Sequence, residues 1–239
     1  MTKLIKYYFL IFACFIQAEP FQSTYKPLPA ENILIRNANI YDGEGNEFLE
    51  TDLLIQNRKI VAIGKDLPST NDFKVIDAYN KWVTPGIIDI HSHMGVYPAP
   101  GVSTSSDGNE ATSPVTADVW AEHSIWVQDP QYALALKGGV TAFHILPGSA
   151  NLIGGRGVTV KNLQRNTINS MKFPDAPHSL KMACGENPKR VYGNRQQAPS
   201  TRMGNAAGYR KSWIQAEAYL NRLNEYESKS DDAKEMGYA

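Results

Sequence analysis

The chain has 239 residues, 42% hydrophobic and 20% charged, the balance of a folded globular protein and not of a disordered, collagenous or acidic-tail sequence. Its 24 Lys and Arg are matched by 24 Asp and Glu, so no net field draws it to nucleic acid or to an anionic membrane, and function must lie in a local site. At about 150 residues per domain the length suits one or two domains.

Residues 1–22 read as a signal peptide and leader. Lys3 and Lys6 precede an apolar run from Tyr7 to Ile16, followed by Gln17-Ala18-Glu19-Pro20, a charged start, apolar centre and small-residue exit. The run is too short for the roughly 20 apolar residues of a spanning helix, so no permanent membrane anchor is expected. Cleavage after Ala18 would give an exported product, periplasmic or secreted. Cys14 would leave with the leader; Cys184 would remain as a small buried hydrophobe with no disulfide partner.

Residues 31–85 form the next unit. Ile33–Arg36, Asp52–Gln56 and Lys59–Gly64 are short β-branched runs separated by Asp42-Gly43-Glu44-Gly45-Asn46 and Asn57-Arg58, which predicts a small antiparallel sheet. Phe73–Asp77 adds a strand, and Pro85-Gly86 marks a boundary. From residue 86 to 239 strands alternate with helical stretches, the pattern of a parallel α/β domain. Strands are expected at Ile87–His91, Val140–Leu146 and Leu180–Cys184, and helices at Ala117–Lys137 and Arg202–Glu227. The second helix carries Trp213, Ala216, Leu220 and Leu223 on one stripe.

The most informative passage is Pro85-Gly86-Ile87-Ile88-Asp89-Ile90-His91-Ser92-His93. Strand alternation sets Asp89, His91 and His93 on one face, and two imidazoles two residues apart aim at one point, which suits a divalent metal.

With Gly138-Gly139-Val140-Thr141, Leu146 to Gly155, and Lys181-Met182 through Gly185-Glu186-Asn187-Pro188-Lys189, this passage resembles the amidohydrolase superfamily, in particular its imidazolonepropionase-like and Xaa-Pro dipeptidase-like members. The resemblance runs from about Ile33 to the end. It implies a (β/α)8 TIM-type barrel, a small flanking β-sandwich that includes the N-terminal strands, and a metal centre, most commonly zinc, at the carboxyl ends of the barrel strands. It further implies metal-assisted attack of water on a C–N bond of a peptide or cyclic amide. Gly86 to Ala239 is shorter than the roughly 250 residues of such a barrel, so the expected fold is an incomplete barrel, the N-terminal portion of a longer enzyme. The family's later histidines and catalytic aspartate have no counterpart after Glu186. A metal-binding fragment without catalysis, or half of a split enzyme needing a complementing second half or a homo-oligomer, stays open.

The resemblance makes His91, His93 and Glu186 the metal ligands. Glu186 follows the third strand, and Lys181, which a carboxylation would convert to a ligand, ranks below it because it lies early in that strand. The loop Pro147–Gly157 would lie at the functional rim, where Ser149, Asn151 or Arg156 would hold a substrate carboxylate or carbonyl. His144, late in the second strand, is a further substrate-contact candidate. Asp89 is expected to support the histidines; His123 reads as a surface or interhelical residue, and no role attaches to His178.

Overall fold

The computed structural model describes residues 21–229; the leader through residue 20, Cys14 included, lies outside the described residues. The chain builds a mixed α/β fold from two sheets. The first contains β1 (Ile33–Tyr41), β2 (Glu47–Gln56), β3 (Lys59–Gly64), β4 (Lys74–Asp77) and β5 (Trp82–Val83), in the order β3-β2-β1-β4 with β5 also on β1. The first turn forms because the Asp42 carboxylate accepts from the Glu44 and Asn46 backbone N–H groups at 2.8 and 3.1 Å, an Asx-type closure. The second is a two-residue hairpin whose Asn57 and Arg58 both take positive φ, 50° and 63°, the backbone that matches strand twist.

The antiparallel expectation holds for β1–β2–β3 only, because β4 and β5 run parallel to β1. The cause is the crossover between β3 and β4, pinned by a buried carboxylate. Asp52 accepts from Arg36 Nη1 at 2.8 Å, from the Asn37 N–H and from the Leu67 N–H at 3.1 Å. Beneath it Leu34, Ala38, Ile40, Leu53 and Ala78 are buried.

The second sheet has the order β6 (Ile87–Ser92), β7 (Val140–Ile145), β8 (Ile153–Lys161), β9 (Ser179–Met182). β6 and β7 are parallel, while β8 is antiparallel to both neighbours. The expected third strand therefore exists as β9 but is separated from β7 by a strand that the sequence reading placed in a loop. Its glycines hid it. Gly157 sits where a β-carbon would stand 2.6 Å from Leu146 Cδ2 and 2.7 Å from Ser179 Oγ, so glycine here marks close strand approach and not a loop.

The expected helix Ala117–Lys137 is also corrected. Only α1 (Gln131–Lys137) is α-helical, preceded by a single 3-10 turn at Ala121–His123 and by bridges of Val115 and Trp120 to Ile153 and Arg156. β-Branched and aromatic residues there line up along the β8 backbone, and Asp129-Pro130 starts the helix, the Asp129 carboxylate accepting from the Gln131 N–H at 3.0 Å. The core packs Phe143 and Ile145 of β7 with Val158 and Val160 of β8, Tyr132 and Met171.

Two helices close the described chain, α2 (Glu186–Gly193) and α3 (Arg202–Glu227). Thr201 caps α3 by accepting from the Gly204 N–H at 3.0 Å. Its first turns pack through Asn205 and Tyr209, but the stripe farther along is uncovered, Trp213 being 55% and Leu220 53% exposed. Cys184, expected buried, is exposed. β6, at the sheet edge, exposes Ile87, Ile88 and Ile90, the last at 76%. Among the described residues no helix is long and apolar enough to cross a membrane.

Candidate metal centre

His91 lies near the end of β6 and His93 in the turn that follows. Their rings stand 5.3 Å apart at 81°. Asp89 supports His91 through the backbone, its Oδ1 accepting from the His91 N–H at 3.1 Å. The turn is held tightly: the Val96 and Tyr97 N–H groups donate to His93 O at 3.2 Å, and Gly95 takes φ +75°, the left-handed conformation that glycine adopts without strain. The Gly95 N–H then donates to the buried Asp129 carboxylate at 3.1 Å.

His93 Nδ1 is 2.8 Å from Leu146 O. A carbonyl only accepts, so this contact assigns the proton to Nδ1 and leaves the Nε2 lone pair for a metal. His91 Nε2 is 3.1 Å from Lys181 Nζ. Burial holds the Lys181 amine below its ordinary range. The Lys181 charge, then burial and His93, hold His91 below the usual imidazole value against the opposing pull of Asp89. Both shifts favour neutral, ligand-competent nitrogen.

Glu186 is placed differently from the expectation. It begins α2, is exposed, and its Oε1 accepts from Arg190 Nε at 2.8 Å one turn on. Among the described residues no three His, Cys, Asp or Glu side chains gather closely enough to hold an ion, so Glu186 does not join His91 and His93. Lys181 does reach His91, because β8 shifts β9 sideways and brings Lys181, buried and paired in register with Gly155, onto the same face as Ser179.

The substrate candidates divide. His144 shares the Lys181 face, with Nδ1 2.9 Å from Thr159 Oγ1 and Nε2 2.7 Å from Ser179 Oγ; burial first, then the charges of His178 and His91, lower its basicity. Ser149 accepts from Asn187 Nδ2 at 2.5 Å, tying the rim loop to α2. Asn151 is 1% exposed, and its amide donates to Glu110 O, Ser113 O and Thr116 Oγ1 at 2.6, 3.1 and 2.7 Å, so it clamps the 110–116 segment while its Oδ1 has no partner among the described residues. Arg156 pairs in register with Leu180 and lies on the face opposite Lys181, its guanidinium 4.4 Å from the Trp120 ring centroid. It does not join the histidines.

His123 is exposed, as expected of a surface residue. His178 Nε2, with no role foreseen, is 3.1 Å from Glu122 Oε2, part of a buried pair with Lys172 at 2.6 Å. The sequence reading also missed Asp129 and Tyr97. Asp129-Pro130 before a helical run was a legible cap signal; Tyr97 had none, because its contact with His93, ring centroids 5.7 Å apart, exists only once the turn is formed. A cavity of about 470 Å³ is lined among others by Asn109, Trp120, Pro147 and Gly154, with none of His91, His93 and Lys181 in its wall.

No family model matches the chain. It is 34% identical over 230 residues to Amidohydrolase tasK of Hapsidospora irregularis, covering 85% of this chain and 23% of that protein. A Dihydroorotase of Lactobacillus leichmannii is 43% identical over 84 residues, 34% of this chain and 18% of that one. The crystal structure of an amidohydrolase from Thermotoga maritima MSB8 matches with a TM-score of 0.74 and 40% identity, over 82% of this chain and 50% of that chain. The chain thus spans half the length of that solved relative and 23% of the Hapsidospora irregularis one.

Proposed function

We propose that this chain, which belongs to the amidohydrolase superfamily, holds a divalent metal, zinc by the chemistry of its donors, and serves the hydrolysis of a C–N bond in a peptide or cyclic amide. The observation that carries this reading is the meeting of His91, His93 and Lys181 at one place, with His93 Nε2 left free by the Leu146 carbonyl. Two imidazole nitrogens and one oxygen donor suit zinc. Lys181 supplies that oxygen if its neutral amine adds to carbon dioxide, forming an N–C bond and releasing one proton to give an N-carboxylate; its burial favours the neutral amine. A bound ion would polarise a carbonyl and acidify water.

The remaining work falls to the chain's own groups. Asp89 holds the His91 backbone and Leu146 orients the His93 ring, and Ser149 and Asn187 hold the rim loop against α2. The uncovered apolar edge of β6 and stripe of α3 favour a second reading as well, a metal-binding half that a second copy or a complementing polypeptide covers. The pattern of Lys3, Lys6, the apolar run and Ala18 supports export.

Zinc titration of the chain in bicarbonate-containing buffer at neutral pH tests the ligand set. His91→Ala, His93→Ala and Lys181→Ala should each weaken binding by about 10-fold or more, whereas Glu186→Ala should change it by less than about 2-fold. Unchanged binding in the His91→Ala/His93→Ala double variant, or its abolition by Glu186→Ala, would overturn the assignment.

A further inference from the structure

We propose that Tyr97 is a substrate-facing residue of this site, its phenol O–H donating to an oxygen of the substrate beside His93. The inference rests on the metal-hydrolase reading above and adds a residue that neither the sequence motifs nor the ligand set contains. Its starting point is the orientation of one amide. The Ala150 N–H donates to Asn109 Oδ1 at 3.0 Å, which places the Asn109 NH2 on the other side, where it donates to Tyr97 Oη. An amide NH2 cannot accept, so Tyr97 Oη is the acceptor in that bond and its own proton is uncommitted. Among the described residues no oxygen or nitrogen receives it.

The phenol is built into place. Its ring meets the His93 ring edge-on, at 83° with centroids 5.7 Å apart, and its backbone N–H donates to His93 O at 3.2 Å. Gly108 lies flat against the ring and leaves no room for a β-carbon, and a β-carbon on Gly148 would be 2.7 Å from Tyr97 Oη. Gly148 follows Leu146 and Pro147, so the hydroxyl sits over the carboxyl ends of β6 and β7, the functional rim of a barrel-type sheet. Tyr97 is still 37% exposed, enough for a small ligand to reach it. A phenol is protonated near neutral pH. A fixed, protonated donor beside a metal-ligating imidazole is where the developing negative charge on a carbonyl oxygen would need one.

The test uses the full chain loaded with zinc and methylphosphonate as the probe oxyanion, with dissociation constants for zinc and for the probe measured by calorimetry. Tyr97→Phe keeps the ring against His93 and removes only the hydroxyl. It should weaken the probe by roughly 10- to 100-fold, the value of one charge-assisted hydrogen bond, and change zinc affinity by less than about 2-fold. Asn109→Asp, whose carboxylate would take the phenol proton, should weaken the probe to a similar degree while the ring and the hydroxyl both remain. A purely structural tyrosine would move zinc and probe together in both variants. Zinc binding with unchanged probe affinity in Tyr97→Phe overturns this inference alone; absence of zinc binding in the unsubstituted chain overturns the metal reading and this inference with it.

Discussion

Removing the Asp129 carboxylate should both destabilise the chain and loosen the proposed metal centre. The residue is fully buried and receives four hydrogen bonds: from the Gly95 N–H at 3.1 Å, the Ala99 N–H at 3.3 Å, the Gln131 N–H at 3.0 Å and Gln131 Nε2 at 3.0 Å. In Asp129→Ala the Gln131 donors lie at a helix start and regain water, but the Gly95 bond is buried and its N–H is left without a partner. Counting that loss with the weaker Ala99 bond, at about 1.5–3 kcal/mol per bond to a charged acceptor, predicts about 3–5 kcal/mol. That is a large share of the roughly 5–15 kcal/mol typical of a folded domain, and for a chain of this size it corresponds to about 6–20 °C in Tm. Asp129→Asn, with one acceptor oxygen in place of two, should lose about half as much. Urea unfolding followed by tyrosine and tryptophan fluorescence measures the loss, and zinc titration of the folded variant should show weakened binding, since Gly95 shapes the turn that carries His93. A loss under about 1 kcal/mol in Asp129→Ala, with zinc binding intact, would refute the idea that this carboxylate positions the turn.

Three further outcomes follow from other parts of the chain. Glu122→Ala leaves the Lys172 ammonium, whose side chain is 5% exposed, without its carboxylate and should cost about 3–5 kcal/mol in urea unfolding; a neutral result would mean that the pair adds nothing to the fold. Ile88→Lys/Ile90→Lys on the exposed β6 edge should reduce self-association on size exclusion with stability within about 1 kcal/mol, and an unchanged elution profile would remove that edge as an association surface. N-terminal sequencing of secreted material should begin at Glu19; an intact Met1 on cytosolic protein would remove the export reading.

Local chemistry made much of the fold legible. The Asn57-Arg58 hairpin and the Asp42 turn follow from residues that close their own backbone, the His91 and His93 pair from side-chain spacing in and just beyond a strand, and α3 from a capped helical run. The reading failed where a neighbour far along the chain overrules local preference. Glycines at 154, 155 and 157 look like a loop until β7 and β9 press against them, and Val115 and Trp120 are extended because β8 offers backbone partners there.

The sequence by itself determined the superfamily, the pair of histidines and the change from one sheet to another near Gly86, because each is encoded within a few residues by turn chemistry, strand period or motif spacing. Tertiary structure decided which third side chain stands beside them. Glu186 follows its strand at a persuasive distance, yet it turns to Arg190 on the first turn of α2, while Lys181 reaches His91 across a sheet whose order was not written in any local pattern. Strand order is set by the burial of whole faces and by pairing between distant segments, and it alone brings residues 90 positions apart to within a hydrogen bond of each other.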